Sequence, residues 1–139
     1  MYLLDTDVRS LLHAGHERVG QRVQQVDPAE IATTIVTKAE ILRARYDFLL
    51  TAADAIQLLR AQHWLRRSEA LLSSILIVPL DAEATSEFER LRAERGLGKM
   101  GRNDLLIAAI ALARQATLVT RNVRHFYKIP NLRLENWAD

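Results

Sequence analysis

Four polar side chains stand where hydrophobic runs of this chain end or begin: Asp5, Glu40, Asp104 and Asn122. Asp5 follows the run 2–4, Asp104 opens the run 105–112, and Asn122 follows the run 117–120. Hard divalent cations such as Mg²⁺ take oxygen ligands of this kind and keep several waters. Such groups, drawn from distant segments of one chain, are what a metal-dependent phosphodiesterase needs.

The elements that must position these side chains alternate between short apolar runs and helical patterns. We predict strands at residues 2–5, 31–34, 75–80, 117–120 and 132–135. We predict helices at 7–14, 37–45, 82–94 and 102–115, a helix or loop at 17–26, one long helix or a pair at 51–74, and a loop at 96–101. This alternation indicates an α/β fold: a single domain over residues 1–139, with a mostly parallel central sheet of four to five strands and helices on both faces.

The predicted sheet brings the four polar side chains to one edge. Right-handed crossovers place the carboxyl ends of all parallel strands on the same edge. Asp5 and Asn122 lie at such ends, while Glu40 and Asp104 lie on helices that can point back towards them. Three carboxylates gathered there repel one another unless a cation lies between them. An all-oxygen set suits Mg²⁺, with Mn²⁺ as the alternative, and one or two ions remain possible.

Each of these residues also has an ordinary structural explanation. Asp5 precedes a helix, where aspartate is a favoured cap. Asp104 begins a helix whose dipole favours a carboxylate, and the preceding Asn103 could cap it. Asn122 could make an Asx turn, and Glu40 could be a solvated helix residue. These explanations do not predict that all four residues share one sheet edge, so together the four favour a site.

The composition indicates a small globular domain with no thiol chemistry. The chain has 139 residues, 49% of them hydrophobic and 26% charged, with a formal net charge of +2. Because there is no cysteine, disulfides, thiolate zinc sites and cysteine nucleophiles are excluded. No signal-peptide pattern or membrane-spanning run is recognised, so we expect a cytoplasmic protein without a membrane partner.

Several segments together resemble one known family. They are YLLDTDV at 2–8, NDLLIAA at 103–109, TLVTRN at 117–122 followed by HF at 125–126, and LRLENW at 132–137. In this order, over nearly the whole chain, they resemble a PIN domain of the VapC type, the ribonuclease toxin of bacterial toxin–antitoxin pairs.

The resemblance implies a magnesium-dependent endoribonuclease that pairs with a small antitoxin and forms a homodimer. By that resemblance Asp5, Glu40 and Asp104 are the metal-binding acids, and Asn122 occupies a fourth catalytic position where many members have Asp. RNA would be cut by metal-activated water, which leaves a 5′-phosphate and a 3′-hydroxyl. Asp7 and His125 also depart from the family pattern, and the turn after Glu40 is altered. The roles of Asp7, Asn122 and His125 therefore stay open.

Basic residues flank the acids along the chain. We predict contacts with RNA phosphates for Lys99, Arg102, Arg121 and Arg124. The alternative for all of them is a solvated charged face.

Two other functions compete with the nuclease. A degenerate PIN domain would bind RNA or a partner protein without cleavage, and Asn122 supports that alternative. A haloacid-dehalogenase-like phosphatase would use Asp5 as nucleophile and Asp7 as acid–base. Arg9 stands where that motif expects Thr or Val, and no later lysine with paired acids completes the set.

Overall fold

A five-stranded parallel sheet forms the centre of the computed structural model, which describes residues 1–139. The strands are β1 (Tyr2–Leu4), β2 (Ile31–Thr34), β3 (Leu76–Val78), β4 (Thr117–Val119) and β5 (Arg133–Glu135). The helices are α1 (Thr6–His13), α2 (Glu17–Gln25), α3 (Ile35–Thr51), α4 (Ala55–Ser73), α5 (Ala82–Ala93), α6 (Arg102–Ala113) and α7 (Val123–Phe126). A 3-10 turn covers Pro28–Glu30. The predicted α/β class and the single sheet are confirmed.

Helices cover both faces of the sheet because strand side chains alternate between them. Leu3 of β1 and Leu118 of β4 pack into a cluster with residues of α5 and α6. The next residue of β1, Leu4, packs on the other face with Val8 of α1 and Val19 of α2. Both faces are therefore apolar, as expected for a sheet that is buried on both sides.

The strand order creates a crevice beside β1. The order is β3-β2-β1-β4-β5, so the chain first builds outward on one side of β1 and then crosses to the other side. Ligands of open parallel sheets bind outside the carboxyl ends of the strands, at the point where the order reverses. Asp5 follows β1 and Thr120 follows β4 at this point.

Three local predictions needed correction. The helix expected at 37–45 is longer at both ends and covers Ile35–Thr51. It begins earlier because Thr34 caps α3 directly after β2, through a hydrogen bond from Thr37 N to Thr34 Oγ1 at 3.0 Å. The segment 51–74 forms one long helix, the first of the two predicted alternatives, but α4 begins only at Ala55 because α3 continues to Thr51. The short helix α7 was not predicted.

No helix in the structure has both the length and the apolar character that crossing a bilayer would require.

Candidate active site

Asp5 joins the end of β1 to the start of α1 and is 7% exposed. Its Oδ1 accepts a hydrogen bond from Val8 N at 2.9 Å, so the carboxylate caps the helix. The predicted capping role is therefore confirmed. That bond engages Oδ1 alone, so Oδ2 lies outside it.

Glu40 reaches the same edge of the sheet from the second turn of α3. Its Oε1 accepts a hydrogen bond from the Thr6 hydroxyl at 2.6 Å, and its Oε2 accepts one from Asn103 Nδ2 at 3.3 Å. Thr6 and Asn103 are the chain neighbours of Asp5 and Asp104. Glu40 is thus held between the segments that carry the other two acids, and it is not a freely solvated helix residue.

Asp104 lies in the first turn of α6, where a carboxylate complements the helix dipole. Its Oδ2 lies 2.9 Å from His125 Nε2, so α7 contacts the site through that imidazole. The cap of α6 is Gly101, and Asn103 extends to Glu40 instead of capping the helix. From the sequence, Asn103 is predicted only as a cap, and the contact between His125 and Asp104 is not predicted.

Asn122 stands at the start of α7 with an exposed side chain that makes no capping hydrogen bond. Its backbone N donates to the Thr120 hydroxyl at 3.0 Å. The predicted position after β4 is confirmed, whereas the Asx turn is not formed by its side chain. The amide is free to turn towards a ligand.

Burial and neighbouring charge both disfavour the ionised form of Asp5. The pKa of this carboxyl is raised from 3.8 to about 6, and burial is the largest cause. The Thr120 hydroxyl and the Val8 amide oppose the rise, while the charges of Asp7 and Asp104 add to it. Like charges therefore converge at the carboxyl end of β1, and a bound cation would relieve their repulsion.

The raised pKa of Asp5 predicts how the stability of the metal-free protein depends on pH. The folded state binds this proton more tightly than the unfolded state, so stability is greatest below the unfolded pKa and falls as the pH rises towards the folded pKa of about 6. A shift of about two units corresponds to about 3 kcal/mol. We expect the free energy of unfolding of wild type, relative to Asp5→Asn, to fall by up to that amount between about pH 4 and about pH 7.

Chemical denaturation of both proteins in the presence of a chelator measures this difference. The free energy of unfolding is plotted against pH for each protein, and subtracting the Asp5→Asn values removes the contribution of the other titrating groups. If the two plots are parallel over this pH range, Asp5 has an ordinary pKa and the prediction is wrong.

The donor chemistry of the site fits a hard divalent cation. Asp5, Glu40 and Asp104 supply only carboxylate oxygens, which suit Mg²⁺ or Mn²⁺. The side chains as placed do not form a group of three or more acids or histidines that could hold an ion. The hydrogen bonds from Thr6 and Asn103 occupy Glu40, and His125 occupies Asp104. Ligation by all three acids would require these side chains to move closer together, and each carboxylate has lone pairs left for an ion beside its present hydrogen bonds.

The basic residues predicted to contact RNA differ in whether another group of the protein already interacts with them. Arg121 is held by Asp139, with Nη2 lying 3.2 Å from Oδ1. The Arg102 guanidinium lies 5.4 Å from the centre of the Phe88 ring. Lys99 and Arg124 are exposed and form no ion pair. RNA contact stays a prediction for all four, and Lys99 and Arg124 are the two without a competing partner.

Comparison with known proteins identifies the family. A family model described as PIN domain matches residues 2–132, which include every acid of the site. The chain belongs to the PIN domain family. Its five parallel strands and two helical layers are thus a PIN fold, and the resemblance noted in the sequence is confirmed.

Among the relatives of this PIN domain are curated VapC ribonucleases. Ribonuclease VapC2 of Rickettsia felis is 47% identical over 72 residues, which are 50% of this chain and 53% of the relative. In that alignment the chain spans about half the length of the relative. Ribonuclease VapC1 of Haemophilus influenzae strain R2866 is 26% identical over 144 residues, covering 99% of this chain and 98% of the relative.

A solved structure with a similar fold is that of VapBC2 from Rickettsia felis bound to a DNA fragment from its promoter. The similarity has a TM-score of 0.78 at 30% sequence identity and covers 98% of both chains. This PIN domain therefore resembles a chain of a toxin–antitoxin complex over its whole length.

Proposed function

We propose that this chain is a metal-dependent endoribonuclease and the toxin of a toxin–antitoxin pair. The observation that carries the proposal is the Asp5 carboxylate at the reversal point of the sheet, whose pKa is raised mainly by burial and further by the charges of Asp7 and Asp104. Glu40 is tied to the same place through Thr6 and Asn103. The likeness to proteins named as ribonucleases supports RNA as the substrate class.

Asp5, Glu40 and Asp104 would hold the ion, and Mg²⁺ is the preferred occupant. When bound, the ion would supply a water of lowered pKa and charge stabilisation for phosphate oxygens. The protein's own backbone and side-chain groups position the acids and the RNA. Val8 N fixes the Asp5 carboxylate, Thr6 and Asn103 orient Glu40, and the exposed cations Lys99 and Arg124 attract the RNA backbone.

The proposed partners are a small cognate antitoxin and a second copy of this chain. The complex of VapBC2 from Rickettsia felis supports the antitoxin. Exposed apolar side chains on either side of the α3–α4 turn, Leu50 at 80% and Ile56 at 71%, support association through that turn. The proposed location is the cytoplasm, which suits a cysteine-free nuclease.

The function is tested by mapping cleavage on total RNA with magnesium present. We expect new ends at defined sites, each carrying a 5′-phosphate that permits direct adapter ligation, opposite a 3′-hydroxyl. Products with 2′,3′-cyclic phosphates would contradict hydrolysis by an activated water. RNA that stays intact at protein concentrations sufficient for binding would contradict the nuclease itself.

A second candidate function is RNA or protein binding without cleavage. Two observations favour it: Asn122 supplies no carboxylate, and His125 occupies Asp104 Oδ2. Tight RNA binding with no magnesium-stimulated cleavage in the same mapping experiment would select it. The family match over residues 2–132 is to the PIN domain, so it does not support the phosphatase alternative.

A further inference from the structure

A cavity of about 390 Å³ lies at the amino ends of the sheet strands, at the opposite end of the sheet from the acids. Its walls include Ile31 and Leu76, where β2 and β3 begin, whereas Asp5 lies where β1 ends. Most of the lining is apolar, but Arg9, His13 and Arg67 also face the space. The cavity is therefore separate from the candidate active site and combines apolar walls with cationic groups.

Arg9 is the feature of this cavity that the fold does not explain. It is 7% exposed, and its guanidinium makes one hydrogen bond, from Nη2 to the Leu71 carbonyl at 3.2 Å. That carbonyl already accepts from Ser74 N at 3.3 Å and from Ser74 Oγ at 2.8 Å. The hydrogen-bonding capacity of the Leu71 carbonyl is therefore satisfied without Arg9. Burial lowers the pKa of Arg9, so the cation is kept in the fold at a cost.

The ionisable residues that line the cavity are all basic: Arg9, His13 and Arg67. Arg67 Nε donates to His13 Nε2 at 3.1 Å, and the guanidinium groups of Arg45 and Arg67 lie 5.4 and 5.8 Å from the Trp64 ring centre. The pKa of His13 is lowered by burial and then by the charges of Arg67, Arg45 and Arg9. None of the three arginines forms an ion pair with an acid.

We propose that this cavity binds a carboxylate carried on an apolar group, with Arg9 as the buried anchor and Arg67 at the rim. A guanidinium offers five donors in a planar fork, which suits bidentate pairing with a carboxylate. The Leu12, Ile31 and Leu71 side chains would contact the apolar part of the ligand. An RNA phosphate suits the cavity less well, since the adjoining sugar would meet hydrocarbon walls.

Two sources of such a carboxylate can be separated by titration calorimetry. The first probe is octanoate, with octanol as the uncharged control. The second is an acetylated and amidated peptide, Leu-Leu-Glu-Leu-Leu, with the Gln peptide as control. Binding of octanoate alone identifies a small-molecule site, and binding of the Glu peptide identifies a protein ligand. Failure of both probes, or equal binding of the charged and uncharged forms, would overturn the proposal.

Arg9→Met tests the anchor because it keeps an unbranched apolar side chain and removes the charged guanidinium. We expect affinity for the bound probe to fall about tenfold or more, and the melting temperature of the free protein to rise. Arg67→Gln, at the exposed rim, should also weaken binding, while Arg60→Gln, exposed on the same helix, should not. Unchanged affinity in both Arg9→Met and Arg67→Gln, or a lowered melting temperature in Arg9→Met, would contradict the assignment.

The Asp5→Asn variant separates this inference from the proposed nuclease. It should bind the carboxylate probe as tightly as wild type does, since the cavity lies at the opposite end of the sheet. Loss of probe binding in Asp5→Asn would show that the two sites are not independent and would overturn the proposal.

Discussion

Asp5→Asn is expected to reduce RNA cleavage by at least about a hundredfold while the fold stays intact, since losing a ligand to a catalytic ion removes several kcal/mol of stabilisation. The replacement has nearly the same shape, and its amide oxygen can still accept the hydrogen bond from Val8 N. The change therefore removes a negative charge and little else. Cleavage rates on a defined RNA, measured under single-turnover conditions, check this expectation.

Asp47→Asn is the matched control, because Asp47 is an exposed aspartate on α3, outside the polar groups that surround Asp5. It should cleave RNA at the wild-type rate. The metal-free Asp5→Asn protein should also be more stable than wild type near neutral pH, since a buried ionised carboxylate has been removed. Activity lost together with stability would indicate misfolding. Full activity in a stably folded Asp5→Asn protein would exclude Asp5 from the chemistry.

Chelation by EDTA is expected to abolish cleavage, and excess Mg²⁺ or Mn²⁺ is expected to restore it. Burial is the largest cause of the raised pKa of Asp5, and repulsion from the charges of Asp7 and Asp104 adds to it. A divalent ion would relieve that repulsion and bind more tightly as Asp5 ionises. We therefore expect added Mg²⁺ to raise the melting temperature of wild type more above about pH 6 than below it.

The Asp104→Asn variant serves as the control for metal binding. Its melting temperature should respond weakly to Mg²⁺ at every pH, and its cleavage should not be restored by the ion. Full activity of wild-type protein in excess EDTA would refute the metal-dependent mechanism. An Mg²⁺-induced stabilisation of equal size in wild type and Asp104→Asn would place the ion elsewhere.

Much of the fold could be predicted because its signals are local. Short apolar runs such as Thr117–Val119 read as buried strands, and Asp81 caps α5 through a hydrogen bond from Ala84 N. The extent of α3 was harder to predict. Its start at Ile35 depends on Thr34, which ends β2 and also caps the helix with its side chain. The apolar residues beyond residue 45 carry no clear end signal.

The sequence predicts which residues form the candidate site but not the contacts among them. Asp5 follows β1, Asn122 follows β4 and Asp104 lies at the start of α6. Once a parallel sheet is assumed, these positions predict that the three residues are neighbours. The hydrogen bond from Asn103 to Glu40 spans 63 positions of the chain, and the one between His125 and Asp104 spans 21. Neither pair has a local signal, because both depend on how separate helices pack on the sheet.

The sequence by itself determined the α/β class and the family and predicted the acids of the candidate centre, because periodicity and motif spacing are properties of the chain read in order. Only the tertiary structure decided which partners those acids have and how burial shifts the pKa of Asp5. It alone revealed that Arg9 lies buried beside a cavity without an acidic partner. Burial and pairing depend on which distant segments meet, and that is settled when the helices pack against the two faces of the sheet.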